Sequence, residues 1–329
     1  MIVKDEAYFL DRCLRSVKDH VDEIVIVDTG STDGTVDIAR TYTDRIFDFK
    51  WIDDFAAARN FSLEKASGDW ILVLDAVELI EPQDLEKIRA TIRDTEQDAF
   101  FLIQYNYNNE SLVKDWQPVR EKTAYSGDYR GYRRNPAGRL FRSERGIHFQ
   151  GAVHEIIDQS LEGLDFQVLE IPIHHHMDDN PGKPKVARQL NYLRMIQRAL
   201  KKRPDGRLAA SAGGVCMHFK QDYPQAIAYF RQAIDLGHEV DRNRENLAEA
   251  LYRGQQFDEA RGIYQALHGE GHRSFSICVN LANLLVKEEK PAEAVGLLKE
   301  ALALGALDPD IAAKLQHNIR FLENRLDQA

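Results

Sequence analysis

Apolar residues fall into two regimes along this chain. Up to about residue 180, short apolar runs alternate with helical patterns; beyond it only the helical spacing remains. Ile24-Val25-Ile26-Val27-Asp28 and Trp70-Ile71-Leu72-Val73-Leu74-Asp75 are the clearest runs, and each ends in an acid. Runs of this kind predict strands buried on both faces of a parallel sheet. Met1-Ile2-Val3 and Arg45-Ile46-Phe47-Asp48-Phe49 predict shorter strands, and Ala99 to Tyr105 a further one. Between them Phe9, Leu10, Cys13, Leu14 and Val17 share one helical face, and Phe55 to Lys65 predicts another helix. This alternation predicts a βαβ-type, mostly parallel sheet. Ligands bind beyond the carboxyl ends of such strands, so Asp28 and Asp75 are expected together at one edge of one sheet. A single Asp there also serves as a turn cap, and it is the pair that favours a site.

Asn180-Pro181-Gly182-Lys183-Pro184 breaks the pattern and divides the chain into a domain at 1–180 and a helical domain at 181–329. Val186, Leu190, Leu193, Ile196 and Leu200 mark one helix face, ending near Pro204-Asp205-Gly206. Tyr223, Phe257 and Pro291 then recur 34 apart, as do Ala226, Ala260 and Ala294, and Phe230, Tyr264 and Leu298. Met217, Leu251 and Leu285 keep the same register in the preceding helices. Thirty-four is the tetratricopeptide period, two helices per unit with alanines where they cross. A last helix from Asp308 to Leu326 resembles a cap. Such a solenoid suits an extended peptide or a homodimer contact, and neither use puts chemistry on the repeats.

Composition narrows the classes. A net charge of −10 over 329 residues disfavours a nucleic-acid groove or an anionic membrane as the main partner. No apolar run approaches the roughly 20 residues that span a bilayer, and no signal peptide follows Met1. Cys13, Cys216 and Cys278 are too few and too far apart for a disulfide framework or a cysteine zinc site, which points to reducing cytoplasm.

The turn Gly30-Ser31-Thr32-Asp33-Gly34 leads into a helix and offers N–H groups to phosphate, yet lacks both G-x-G-x-x-G spacing and a P-loop lysine. A nucleotide held mainly by acids on ribose and base fits better. Tyr105, Tyr107, Tyr125, Tyr129 and Tyr132, near Arg130, Arg133 and Arg134, either stack on a sugar or peptide or belong to a hairpin with surface loops. In a strand, His174 and His176 face one way and His175 the other, so the three are not expected to share a metal.

Four segments in order resemble family 2 glycosyltransferases of the GT-A fold. They are Met1-Ile2-Val3-Lys4-Asp5-Glu6, Val27-Asp28-Thr29-Gly30-Ser31-Thr32-Asp33-Gly34-Thr35, Ala57-Ala58-Arg59-Asn60, and Gly68-Asp69-Trp70 leading into Leu74-Asp75-Ala76. Arg139-Leu140-Phe141-Arg142, Phe149-Gln150-Gly151-Ala152-Val153-His154-Glu155 and Ile171-Pro172-Ile173-His174-His175 resemble a bacterial branch with a helical-repeat tail, near the peptide S-glycosyltransferases that modify bacteriocins. The resemblance implies a nucleotide-sugar donor, a UDP-sugar, with a peptide, protein or glycan acceptor and a Mn²⁺ or Mg²⁺ ion. It places Lys4 and Glu6 beside the nucleoside, Asp28 at base or ribose, and Arg59 and Asn60 in the same pocket, with Ser31 in the adjoining turn. Asp75 matches the first acid of the D-x-D motif, at ribose and metal, and His175 a histidine that approaches diphosphate and metal. Glu155 is implied as the base of an inverting transfer, with His154 orienting the diphosphate or the base.

Two departures bear on this. Val77 replaces the second acid of D-x-D and supplies no oxygen to a hard cation. On that basis Val77→Asp should restore metal-dependent activity, and Glu78→Gln should do little to it unless Glu78 has replaced the lost ligand. The family also implies residues ahead of Met1 that complete the first strand. Two rival classes follow: a catalytically impaired nucleotide-sugar-binding scaffold, and a metal-dependent hydrolase built on the histidine run, which lacks the dispersed carboxylates such a site needs.

Overall fold

The computed structural model describes residues 1–109, 116–176, 184–304 and 309–327. It divides into two compact units, the second running from Lys185. The expected boundary at 180–183 lies outside the described residues.

In the first unit β1 (Ile2–Val3), β2 (Ile26–Asp28) and β3 (Ile46–Asp48) pair in parallel, and α1 (Leu10–Val17) and α2 (Thr35–Arg40) make the crossovers. Leu10, Cys13, Leu14 and Val17 are the buried face of α1, as their spacing predicts. α3 (Phe55–Lys65) starts at Asp54, whose carboxylate accepts the Ala57 N–H at 2.9 Å and satisfies an otherwise orphan donor.

A second sheet follows. It is built from β4 (Trp70–Leu72), β5 (Glu78–Leu79), β6 (Ala99–Asn108), β7 (Trp116–Pro118), β8 (Gly131–Arg142) and β9 (Phe166–His175), with α4 (Pro82–Arg93) between β5 and β6. Its order is β4-β8-β6-β9-β5, with β7 on β8, and only β6–β9 is a parallel pair. The run at 70–75 is therefore not a buried parallel strand. Its strand portion is three half-buried residues, antiparallel to β8 through Ile71↔Phe141 and Leu72↔Leu140. The long β8 offers apolar partners to β4 while running against it, so the sheet is mixed; Asp28 ends a strand of the first sheet, whereas Asp75 lies in the turn between β4 and β5 of the second.

Alternation along β6 splits the core. Phe100 and Leu102 pack with Leu140, Leu74, Ile80 and Ile173, while Ala99 packs with Phe141, Val73 and Phe149. Ala76, just after Asp75, is buried with Val3, Leu10, Leu14 and Ile26. That contact ties the turn carrying Asp75 to the sheet carrying Asp28.

The second unit is helical: α5 (Lys185–Lys202), α6 (Gly206–Val215), α7 (Tyr223–Asp235), α8 (Val240–Arg253), α9 (Phe257–Gly269), α10 (Phe275–Lys287), α11 (Pro291–Ala303) and α12 (Pro309–Leu326). Tyr223, Phe257 and Pro291 each open a helix, and Ala226, Ala260 and Ala294 are fully buried where the helices cross. Asp205, Asp222 and Ser274 are N-caps whose side chains accept from the third residue beyond. Gly213 lets α6 approach α7: a Cβ there would lie 2.7 Å from the Phe230 ring. Among the described residues no helix is long and apolar enough to cross a membrane.

Candidate active site

The loop after β1 is laced to the turn after β2. The Asp28 carboxylate, 5% exposed, accepts the N–H groups of Gly30 and Ser31 at 3.0 Å each. Gly30 takes φ +103°, a region that side-chain-bearing residues rarely adopt. Lys4 Nζ donates to the Gly30 carbonyl at 3.2 Å, the Asp5 N–H to Ser31 Oγ at 2.9 Å, and the Glu6 N–H to Thr35 Oγ1 at 2.7 Å. Lys4, Glu6, Asp28 and Ser31 are thus brought to one place, and the turn-capping role of Asp28 is realised there.

A second group centres on Asp75. Its Oδ1 accepts from Arg59 Nη2 at 2.6 Å and its Oδ2 from Arg139 Nη2 at 3.1 Å. Burial alone would raise the Asp75 carboxyl, but Arg59 and then Arg139 hold it well below the usual carboxylate range. Arg59 also donates through Nε to Glu155 Oε1 at 2.5 Å, and Arg139 through Nη2 to Glu78 Oε1 at 2.8 Å. Arg59 thus joins Asp75 and Glu155, whereas the resemblance places it with Asn60 in the pocket of Asp28. α3 holds Arg59 in place because Phe55 donates to the Ala152 carbonyl and Asn60 exchanges two hydrogen bonds with the Phe149 backbone, at 2.8 and 2.9 Å. Asn60 is thus committed to that backbone instead of lining a pocket with its amide. His154, next to Glu155 in the chain, is exposed and in the left-handed region at φ +54°.

Glu78 is the buried hinge of the site, with a fully buried side chain. Its Oε2 accepts the Asp75 N–H at 2.8 Å, and the Asp75 carbonyl accepts the Glu78 N–H at 3.0 Å. Burial, opposed by Arg139, raises its carboxyl above the usual range. Pairing of β5, β9 and β6 sets Glu78 beside His175 and His175 beside Asn106. Along that row Asn106 Oδ1 is 2.7 Å from His175 Nδ1, Asn106 Nδ2 donates to Gln104 Oε1 at 3.1 Å, and Gln104 Nε2 donates to Glu78 Oε1 at 2.5 Å. With the amides so oriented the His175 proton sits on Nδ1.

His174 and His176 point to the other face, as alternation predicts. There they stack with Tyr107 and Tyr129 and meet Tyr125 at a tilt, and Tyr105 stacks on Tyr132 at 4.2 Å. His174 Nδ1 is 2.8 Å from Tyr107 Oη, and His176 Nε2 is 2.6 Å from the Tyr125 carbonyl oxygen. The tyrosines thus pack on the histidine run, around a cavity of about 510 Å³ that Tyr105, Tyr107, Tyr132 and His174 help to line.

The donor set does not fit the divalent cation that the fold family implies. Both Asp75 oxygens are held by guanidinium groups, Glu78 is spent on Arg139, Gln104 and the Asp75 N–H, and Val77 has no oxygen. Among the described residues, groups of three ligand-type side chains occur at His268, Cys278 and Glu300 and at Asp241, Glu270 and His272, and neither includes Asp75 or His175.

Arg139 is the site residue that the sequence pattern does not single out. It falls at a bulge where Phe100 pairs with Leu140 and Phe101 with Gly138, so it is the extra residue of β8. Bulges redirect a side chain, and here it turns into the acids. Its place in the Arg139-Leu140-Phe141-Arg142 stretch of the resemblance was a signal for it, but no site role was expected of it.

Residues 1–154 match the Glycosyl transferase family 2 model and residues 277–312 the Tetratricopeptide repeat model. A TPR repeat-containing protein of Synechococcus elongatus is 30% identical over 99% of this chain and 61% of its own length. The SPbeta prophage-derived glycosyltransferase SunS of Bacillus subtilis is 29% identical over 71% of this chain and 52% of its own. The chain thus spans between half and about three-fifths of these relatives. A crystal structure of S. aureus TarS 1–349 in complex with UDP-GlcNAc aligns at TM-score 0.43 and 14% identity, over 82% of this chain and 90% of that one.

Proposed function

Starting from a chain that joins a family 2 glycosyltransferase domain of the GT-A kind to tetratricopeptide repeats, we propose that it moves a sugar from a UDP-sugar to a peptide, protein or glycan acceptor. The observation that supports this most is the meeting of Arg59, Arg139 and Glu155 around Asp75, whose turn is tied to the sheet of Asp28. Lys4, Glu6, Asp28 and Ser31 would hold the nucleoside end of the donor, with Asp75 towards the ribose. Inverting transfer needs a carboxylate that takes the acceptor's proton as the bond to the sugar forms, and Glu155 is assigned that part. Its ion pair with Arg59 gives it a second part, fixing the guanidinium. Recruitment of the acceptor falls to the repeats, whose stacked helices suit an extended chain.

Product analysis with a panel of nucleotide sugars tests the transfer, and calorimetry with UDP tests the donor site. Glu155→Gln separates its two parts: loss of turnover with unchanged UDP affinity marks the base, whereas loss of both marks the support of Arg59. Donor binding without any transfer, to water or to acceptor, would favour the nucleotide-sugar-binding scaffold. Absence of binding to any nucleoside diphosphate would sink the donor assignment.

A further inference from the structure

We propose that the donor site of this chain works without a divalent cation, with Arg59 and Arg139 standing where a metal would. The inference rests on the nucleotide-sugar reading above and concerns how the diphosphate charge is met. Three independent features carry it. The first is occupancy: each Asp75 oxygen already accepts from a different guanidinium, at 2.6 and 3.1 Å, so a cation on the remaining lone pairs would stand directly beside both. The second is charge. Arg59 and Arg139 already offset two of the three acid charges of Asp75, Glu78 and Glu155, leaving a single negative charge, and a double charge placed on Asp75 would meet two buried guanidinium ions at close range. The third is a spare donor. Arg59 is 7% exposed, and its Nη1 is a buried nitrogen with no hydrogen-bond partner among the described residues. A buried guanidinium N–H left over is costly unless an anion meets it, and a phosphate oxygen accepts it well.

The sequence departure at Val77 then has a structural counterpart. The chain has lost one acid of the cation pair and has turned Arg139, through the bulge in β8, onto the acid that remains. Val77→Asp alone is accordingly expected to gain no cation, because Arg139 still holds Asp75. That outcome differs from the simple restoration that the motif suggests.

Calorimetry of UDP binding to the full chain, in Mn²⁺ and in EDTA, tests the proposal, with Mn²⁺ uptake followed separately by electron paramagnetic resonance. UDP affinity should agree within about twofold in the two media and fall by about tenfold or more in both for Arg139→Met, since one of the two guanidinium charges that offset the diphosphate is lost. Arg139→Lys, which keeps a charge in the buried site, should lie between the two and serves if Arg139→Met unfolds. The parent and Val77→Asp should take up no Mn²⁺ that Asp75→Asn removes, a control that discounts ions held by clusters in the second unit. Val77→Asp combined with Arg139→Met should gain such an ion. UDP binding that drops tenfold in EDTA, or Mn²⁺ on the parent that Asp75→Asn abolishes, overturns the cation-free site and leaves the donor reading intact. Failure of every nucleoside diphosphate to bind in either medium overturns the donor reading instead, while the Mn²⁺ measurement still decides the cation question.

Discussion

Replacing Glu78 by Gln is the most informative single change in the first unit. The side chain is fully buried, and its oxygens take hydrogen bonds from Arg139 at 2.8 Å, Gln104 at 2.5 Å and the Asp75 N–H at 2.8 Å. All three partners are donors. An amide turns its own N–H₂ towards at least one of them, so one contact becomes donor against donor. Breaking a buried ion pair costs about 3–5 kcal/mol. Arg139 keeps Asp75, which places the expected loss at the lower end, about 3 kcal/mol. With a urea m-value of about 2 kcal/mol/M, the midpoint should fall by about 1.5 M. The assay is clean because the chain has three tryptophans, Trp51, Trp70 and Trp116, all in the first unit, so tryptophan fluorescence follows that unit within the full chain. A loss below about 1 kcal/mol would mean that Glu78 is protonated at neutral pH and nearly isosteric with Gln, and the ion-pair argument would be wrong. The motif-based expectation that Glu78→Gln does little concerns metal-dependent activity; the change expected here is in stability.

Asp28→Asn should weaken UDP binding by about tenfold, the worth of one charged hydrogen bond, while the near-isosteric amide costs the fold under about 1 kcal/mol; calorimetry with UDP and urea titration check the two halves. Gly213→Ala should destabilise the second unit by about 1–2 kcal/mol, because its Cβ would meet the buried Phe230 ring, whereas Gly214→Ala, with open space around it, should stabilise by up to about 1 kcal/mol; thermal melts by circular dichroism compare them. Burial pushes the Cys216 and Cys278 thiols up to about 11. Alkylation at pH 8 should therefore run about 100-fold slower than for an ordinary thiol and speed up about tenfold per pH unit towards 11. The sign for stability is the reverse: what these thiols contribute is whole below pH 9 and is lost as pH rises through 11, and an alkaline melt that showed no decline would contradict it.

What could be foreseen from sequence depended on how locally each feature is determined. The repeats were legible because the packing of two neighbouring helices sets its own requirements within 34 residues, and Ala226, Ala260 and Ala294 meet them. The histidine run was legible because strand alternation is strict: His175 faces Asn106 and His174 faces Tyr107. Direction of β4 was not legible, since an apolar run looks alike in parallel and antiparallel sheets and its partner Arg142 lies far along the chain. Arg139 escaped for a related reason. A bulge is a property of how two strands register, and Phe100, Phe101, Gly138 and Leu140 show it only once paired. Asn60 belonged to a visible motif, but its partner Phe149 is 89 residues away and gives it a structural task the motif does not announce.

The fixed 34-residue register of the second unit has an evolutionary consequence. Helices from α6 to α12 pack mainly on their sequence neighbours, so each added pair reproduces an interface that already exists. Duplicating one pair would open a single junction and restore it twice, leaving every other contact as it was. Array length can therefore change by whole units through gene duplication alone, with no need to redesign a core. The first unit has no such freedom. Its polar row crosses β5, β9 and β6, and inserting one residue into any of these strands would turn half of its members to the opposite face. One part of the chain can thus vary in reach from lineage to lineage, while the other can vary only side chain by side chain.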